Sequence, residues 1–231
     1  NGRVTQKRVT TLAGGFDSAV RRIATTYDSV GRTSEVVQYD NATVGSGSAV
    51  DGVKYTYDDW GMLATYAEDR DSAVSGGGNQ YTTSYTWAKA TTGRNTLRIT
   101  SYTLPSGRAI DLQYRTSGGL LDGAASRVTM IADGATVVAR YWYNGVGQVV
   151  GQECGEPDVI WNMFGSTAGT YPDLDAFNRI VASRWTKDFV TSPPDFDFYS
   201  VALTYDRKSN ITSADDSIHA GFDVLYSMDD V

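Results

Sequence analysis

Residues 25–36, "TTYDSVGRTSEV", decide how this chain folds. They hold no histidine, no cysteine and no glycine-rich phosphate loop, yet close copies return at 55–66 ("YTYDDWGMLATY"), 141–152 ("YWYNGVGQVVGQ") and 203–214 ("LTYDRKSNITSA"). Asp28-Ser29-Val30-Gly31 reads as a type I turn. Asp is favoured at its first position, where the carboxylate accepts backbone amides two residues on. Gly is favoured at the fourth, where a left-handed backbone costs little without a Cβ. Such a turn followed by a left-handed Gly is a hairpin loop with a bulge. Tyr27 then ends one strand and Arg32 opens the next, and this reading expects the two side chains to meet across the ladder.

The other copies vary as a backbone requirement would. Tyr57-Asp58-Asp59-Trp60-Gly61 keeps the turn and puts Met62 where Arg stood. Tyr143-Asn144-Gly145-Val146-Gly147 uses Asn for Asp. Leu174-Asp175-Ala176-Phe177-Asn178-Arg179 places Asn at the left-handed position, the next best residue there. In Tyr205-Asp206-Arg207-Lys208-Ser209 a serine must bear that strain or the turn must change type. "TLPSGRAI" turns at Gly107-Arg108, with Pro105 fixing φ inside the loop.

Spacing supports an array. Gly2, Gly31 and Gly61 lie 29 and 30 residues apart, and Gly147, Asn178 and Ser209 lie 31 and 31 apart. Between Gly61 and Gly147 the rhythm slips, with candidate tips at Gly93-Arg94 and Gly107-Arg108. A fixed period of 20 to 50 residues marks stacked supersecondary units. Short alternating strands run between tips, such as 201–205 with Val201, Leu203 and Tyr205 on one face. No amphipathic helix is expected, and 75–80 and 191–196 read as surface loops. The expected fold is all-β, a single run of hairpins over 1–231 without an internal domain boundary. Asn1-Gly2-Arg3 and Met228-Asp229-Asp230-Val231 resemble the closing and opening halves of further copies, so the sequence reads as part of a longer array.

Composition narrows the function. Net charge is −7 and the isoelectric point near 4.7, which argues against nucleic acid, whose binders need a basic face. Cys154 is the single cysteine, so an internal disulfide is impossible and no cysteine metal cluster is expected. No run approaches the roughly 18 apolar residues of a membrane span, and residues 1–15 lack the apolar segment of a signal peptide.

The repeated Tyr-Asp-x-x-Gly-Arg resembles the YD or RHS repeats of bacterial RHS proteins and animal teneurins. The likeness covers essentially the whole chain, and residues 100–114 and 174–185 are most similar to RHS proteins of planctomycete-type bacteria. The resemblance implies a long β-sheet ribbon spiralling into a hollow shell. In RHS polymorphic toxins and insecticidal toxin complexes such a shell encloses a C-terminal toxin; in teneurins it is an extracellular adhesion scaffold. It therefore implies a secreted or cell-surface location. Implied partners are the remainder of a parent chain with its C-terminal cargo, or neighbouring copies through sheet edges. The family's core segment with self-cleaving aspartates has no counterpart among these residues, so cleavage and toxicity are not assigned to them.

Candidate chemistry is sparse. His219 is the only histidine, and its flanks show no triad partners. The pairs Asp58-Asp59, Asp215-Asp216 and Asp229-Asp230 lack calcium-loop spacing and sit at or beside turns. Asn41-Ala42-Thr43 and Asn210-Ile211-Thr212 are formal glycosylation sequons, read as unoccupied. Trp60, Trp87, Trp142, Trp161 and Trp185 either pack within the ribbon or stack on a carbohydrate. The expectation is no catalytic, cofactor or metal residue, no cofactor, no enzyme activity, and carbohydrate as an open possibility.

Overall fold

A computed structural model describes residues 2–75, 79–89, 97–114, 120–187 and 196–227. The candidate tip at Gly93-Arg94, Asp229-Asp230 and most of the two surface-loop candidates lie outside them. Sixteen strands follow one another in chain order in an antiparallel sheet, so the all-β reading holds. Of the described residues, those up to 110 form one compact unit and those from 111 onward form a second.

The first unit carries β1 (Gln6–Arg8), β2 (Arg22–Tyr27), β3 (Thr33–Tyr39), β4 (Ala49–Tyr57), β5 (Leu63–Asp69), β6 (Gln80–Lys89) and β7 (Leu97–Thr103); β8 (Ala109–Gln113) begins in it. Tyr55 pairs with Tyr66, Tyr66 with Thr83, and Tyr85 with Tyr102. Because side chains alternate across a strand, these tyrosines share one face, and the Tyr55 and Tyr66 rings lie 5.6 Å apart. The other face is covered by loops. Val37 and Ala67 are buried there, and so is Val74 from the loop after β5. A Cβ on Gly52 would lie 3.1 Å from the Ala73 Cα and 3.3 Å from the Ser72 carbonyl, so a glycine lets this loop lie against the sheet. Arg22, also buried, stacks 3.7 Å from the Tyr39 ring and donates to the carbonyls of Asn41 and Ser46 in the β3–β4 loop.

The second unit carries α1 (Leu120–Ala124), β9 (Met130–Asp133), β10 (Thr136–Tyr143), β11 (Val149–Cys154), β12 (Val159–Asn162), β13 (Ala182–Lys187), β14 (Phe196–Tyr205), β15 (Ile211–Asp216), a 3₁₀ turn (Ala220–Phe222) and β16 (Val224–Leu225). The helix, just over a turn long, is an element the sequence reading did not expect. On one face the Phe164 ring covers Gly151 and meets Trp142 edge-on at 5.9 Å. As expected, Val201, Leu203 and Tyr205 share a half-covered face while Ala202 and Thr204 are exposed.

Burial is thin. Ten hydrophobic side chains are buried among the described residues, against twenty large ones left exposed. A second layer would reverse that ratio, so cohesion comes mainly from strand ladders, covering loops and contacts between hairpins.

The tips take the expected form. Gly31, Gly61, Gly107 and Gly147 have φ of 89°, 86°, 84° and 94°, and Asn178 and Ser209 have 65° and 68°. Ser209 thus bears the left-handed strain without a change of turn. The Asp28 carboxylate accepts from the amides of Val30 and Arg32 at 3.1 and 2.8 Å, while Gly31 N–H closes on the Asp28 carbonyl at 3.0 Å. Asp58, Asp175 and Asp206 repeat the pattern, and Asn144 accepts the Gln148 amide at 2.9 Å. The ladder slips by one residue between Thr26 and Tyr27, Thr56 and Tyr57, Trp142 and Tyr143, and Thr204 and Tyr205, the mark of the bulge.

Candidate functional site

The expected Tyr27–Arg32 pair is not what forms. The bulge pairs Tyr27 with Thr33 and leaves Arg32 beyond the ladder, where its Nε donates to Asp28 Oδ2 at 2.6 Å. From there the guanidinium reaches forward to the next hairpin, 4.1 Å from the centre of the Tyr57 ring. Its Nη1 would lie 3.3 Å from a Cβ on Gly61. Tyr27 in turn takes Arg3, 5.4 Å from its centre, and the Arg3 guanidinium occupies the space a Cβ on Gly31 would need. Arg179, bonded to Asp175 at 2.6 Å, stacks 4.5 Å from Tyr205 and donates to the Ser209 hydroxyl at 3.1 Å.

The tyrosine hydroxyls run the opposite way. Tyr27, Tyr57, Tyr143 and Tyr205 donate to the carbonyls of Val4, Thr33, Val128 and Ile180, at 2.9, 2.8, 2.8 and 2.6 Å. Each full copy therefore holds its neighbour by two contacts, a cation on a ring and a hydroxyl on a backbone. Where Met62 replaces the arginine, Trp87 fills the tyrosine's place, and its indole N–H donates to the Leu63 carbonyl at 2.8 Å. Tyr143 receives Arg127, which follows α1 and no tip glycine. Its guanidinium lies 5.6 Å from the ring and donates to the Asn144 carbonyl at 3.2 Å. Arg127 was invisible to motif spacing for that reason.

Electrostatics reinforce the tips. Burial alone would raise the Asp28 carboxyl, but the Arg32 side chain and amide, with the Gly31 amide, hold it below the ordinary carboxylate range. Asp175 is lowered against the same opposition by the Arg179 amide and side chain. Asp206 is lowered first by the Asn210 side chain and then by its amide.

The second unit also presents an open groove of about 1020 Å³. Its floor is the face shared by Val159, Trp185, Val201 and Ala214, and one wall is the segment 219–226 after β15. Trp185, Phe198, Tyr199, Phe222 and Tyr226 supply rings. The Asp216 carboxylate is buried at its side and accepts the Ile218 and His219 amides at 2.8 and 3.0 Å. These bonds, the Ile218 amide first, hold its carboxyl low.

His219 Nδ1 lies 3.6 Å from Asp216 Oδ2, too far for the hydrogen bond that orients a catalytic histidine. The one hydroxyl in the intervening turn, on Ser217, donates to the Ser200 carbonyl at 3.2 Å. Asp58 and Asp216 serve turns, as expected, and Asp215 accepts from Ser213 at 3.3 Å. Among the described residues, no three His, Cys, Asp or Glu side chains converge as ligands for a metal ion. The Asn210 amide that a glycan would need donates to Asp206 at 2.8 Å, whereas Asn41 is exposed. The tryptophans divide. Trp87 and Trp142 pack within the ribbon, and Trp161 donates to the Ser183 hydroxyl at 2.9 Å and stacks on Trp185. Trp60 stands 54% exposed on its tip. Sequence spacing did not anticipate that Trp185, Asp216, His219, Phe222 and Tyr226 would meet.

No protein-family model and no curated protein sequence matches the chain. Among solved structures it is similar to the Photorhabdus luminescens Tc holotoxin pore, at 13% identity and a TM-score of 0.46 over 87% of this chain. It is also similar to TcdB2–TccC3 without the hypervariable C-terminal region, at 12% identity and 0.45 over 86%, and to the TcdB2–TccC3–Cdc42 complex, at 12% and 0.43 over 84%. The chain spans about 10% of the length of each of those chains.

Among the described residues, no helix is long and apolar enough to cross a membrane.

Proposed function

We infer that this chain is a structural, non-catalytic section of an RHS/YD-repeat wall, one that encloses or delivers a C-terminal toxin in a secreted bacterial protein. One observation carries the reading: the side chains that make the repeat recognisable are used to fasten hairpin to hairpin. Arg32 and Arg179 bind their own turn and the next ring, and Tyr27, Tyr57 and Tyr205 bind the backbone behind them. A wall that shields cargo needs this cohesion, since it lacks a deep core. Limited proteolysis of the full gene product, followed by mass spectrometry, tests the proposal. A C-terminal segment should stay protected in the native protein and become cleavable in an Arg32→Met, Arg179→Met double variant. Equal cleavage in both would overturn enclosure. Hydrolase turnover abolished by His219→Ala or Asp216→Asn would overturn the non-catalytic reading.

An adhesive or filament-forming surface scaffold is the second reading. The third turn residue is exposed at one tip of each unit, Trp60 by 54% and Phe177 by 79%, and exposed aromatics favour contact with another surface, a carbohydrate included. Retained binding to cells after Trp60→Ser and Phe177→Ser would remove this reading.

A further inference from the structure

The groove of the second unit has a chemistry that the wall function does not use. Five aromatic rings line it, and Tyr199, Phe222 and Tyr226 are 40%, 73% and 44% exposed. Aromatic faces carry negative quadrupole density and attract cations brought within about 6 Å of the ring centre. Among the described lining residues there is no lysine or arginine, and the one acid is Asp216. Its carboxylate is ordered by the amides of Ile218 and His219, which orient the charge without cancelling it. A volume of about 1020 Å³ lies at the upper end of drug-sized sites, which are mostly apolar with a few placed polar groups. An anion would face both the carboxylate and the ring faces, and a neutral apolar molecule would use only the rings.

We propose that this groove binds an apolar organic cation, of the quaternary ammonium or alkylammonium class, caged by Trp185, Tyr199, Phe222 and Tyr226 and oriented by Asp216. Val201 and Ala214 on the floor take the apolar body of the ligand, and the cationic head lies toward β15. His219 Nδ1 lies 3.6 Å from the Asp216 carboxylate, on the same side of the groove. The site stands or falls independently of the wall function, since no tip contact contributes to it.

The test uses the whole chain, isotope-labelled, titrated with benzyltrimethylammonium and with its neutral carbon isostere neopentylbenzene. The readout is the Trp185 indole resonance, assigned by its loss in Trp185→Leu. The native chain should bind the cation about tenfold more tightly than the isostere. Asp216→Asn keeps an oxygen for the two amides and should remove most of that preference while retaining the isostere's affinity. Trp185→Leu, read on the Tyr199 resonances, should weaken both ligands and needs no change at Asp216, so it tests the cage even if the Asn variant misfolds. Equal affinity for cation and isostere in the native chain would overturn the proposal. So would perturbations confined to Trp60 or Trp87.

Discussion

Replacing Arg32 with Met and Tyr57 with Leu, singly and together, separates two accounts of the repeat. In the first, Arg and Tyr of one copy support each other within their hairpin. In the second, which the structure shows, Arg32 stands 4.1 Å from Tyr57, 25 residues ahead. Arg32→Met removes a partly exposed cation–ring contact of about 0.5–1 kcal/mol. It also removes an ion pair whose side chains are 35% and 22% exposed, and such pairs contribute about 0.2–1 kcal/mol. The expected loss is about 1–2 kcal/mol. Tyr57→Leu removes the same ring contact and the hydroxyl bond to Thr33, worth about 0.5–1.5 kcal/mol. The double variant should then be less destabilised than the sum by the shared term alone, about 0.5–1 kcal/mol. A parallel cycle of Arg32→Met with Tyr27→Leu should give coupling near zero. Urea midpoints with fixed slopes provide the energies. Coupling to Tyr27 that equals or exceeds coupling to Tyr57 would refute the between-hairpin clamp.

Gly31→Val should cost at least about 1–2 kcal/mol, because a branched side chain must occupy a left-handed position and must displace Arg3. Ser29→Ala, exposed beside it, should stay within about 0.5 kcal/mol, and equal urea midpoints would contradict the turn. Gly52→Ala should cost about 1–3 kcal/mol by driving a methyl into the backbone of 72–74. Gly145→Ala, with nothing within 4 Å, should be close to neutral; the same melts distinguish the two. Acid should loosen the tips. Asp28, Asp175 and Asp206 have lowered folded pKa values, so the unfolded chain binds protons more readily. Their stabilisation is present above the unfolded value near 4 and is lost as pH falls through the depressed folded values. Urea midpoints should drop between about pH 5 and pH 2, with a smaller drop in a triple Asp→Asn variant. An identical drop in both would reject the attribution.

The hairpin tips, and with them the fold class, are legible in the amino-acid order. Asp28, Gly31 and their counterparts answer a demand made by four consecutive residues, so their spacing exposes the turns that end at Gly31, Gly61, Gly147, Asn178 and the strained Ser209. Strand alternation at 201–205 is legible for the same reason, a period of two along one segment. Which arginine meets which tyrosine depends instead on how the folded strands lie side by side. Neighbouring strands lie about 4.8 Å apart, so the aromatic ring of the next tip, two strands on, lies within reach of an arginine. The bulge removes Arg32 from its own ladder and points it there, a distance no linear motif records. Arg127 reaches Tyr143 from outside the repeat altogether. The groove is more remote still from the sequence, because Trp185, Tyr199 and Asp216 share a face through the registers of two strand pairs. Phe222 and Tyr226 join them where Asp216, by accepting the amides of Ile218 and His219, helps turn the chain back, and β16 pairs with β15.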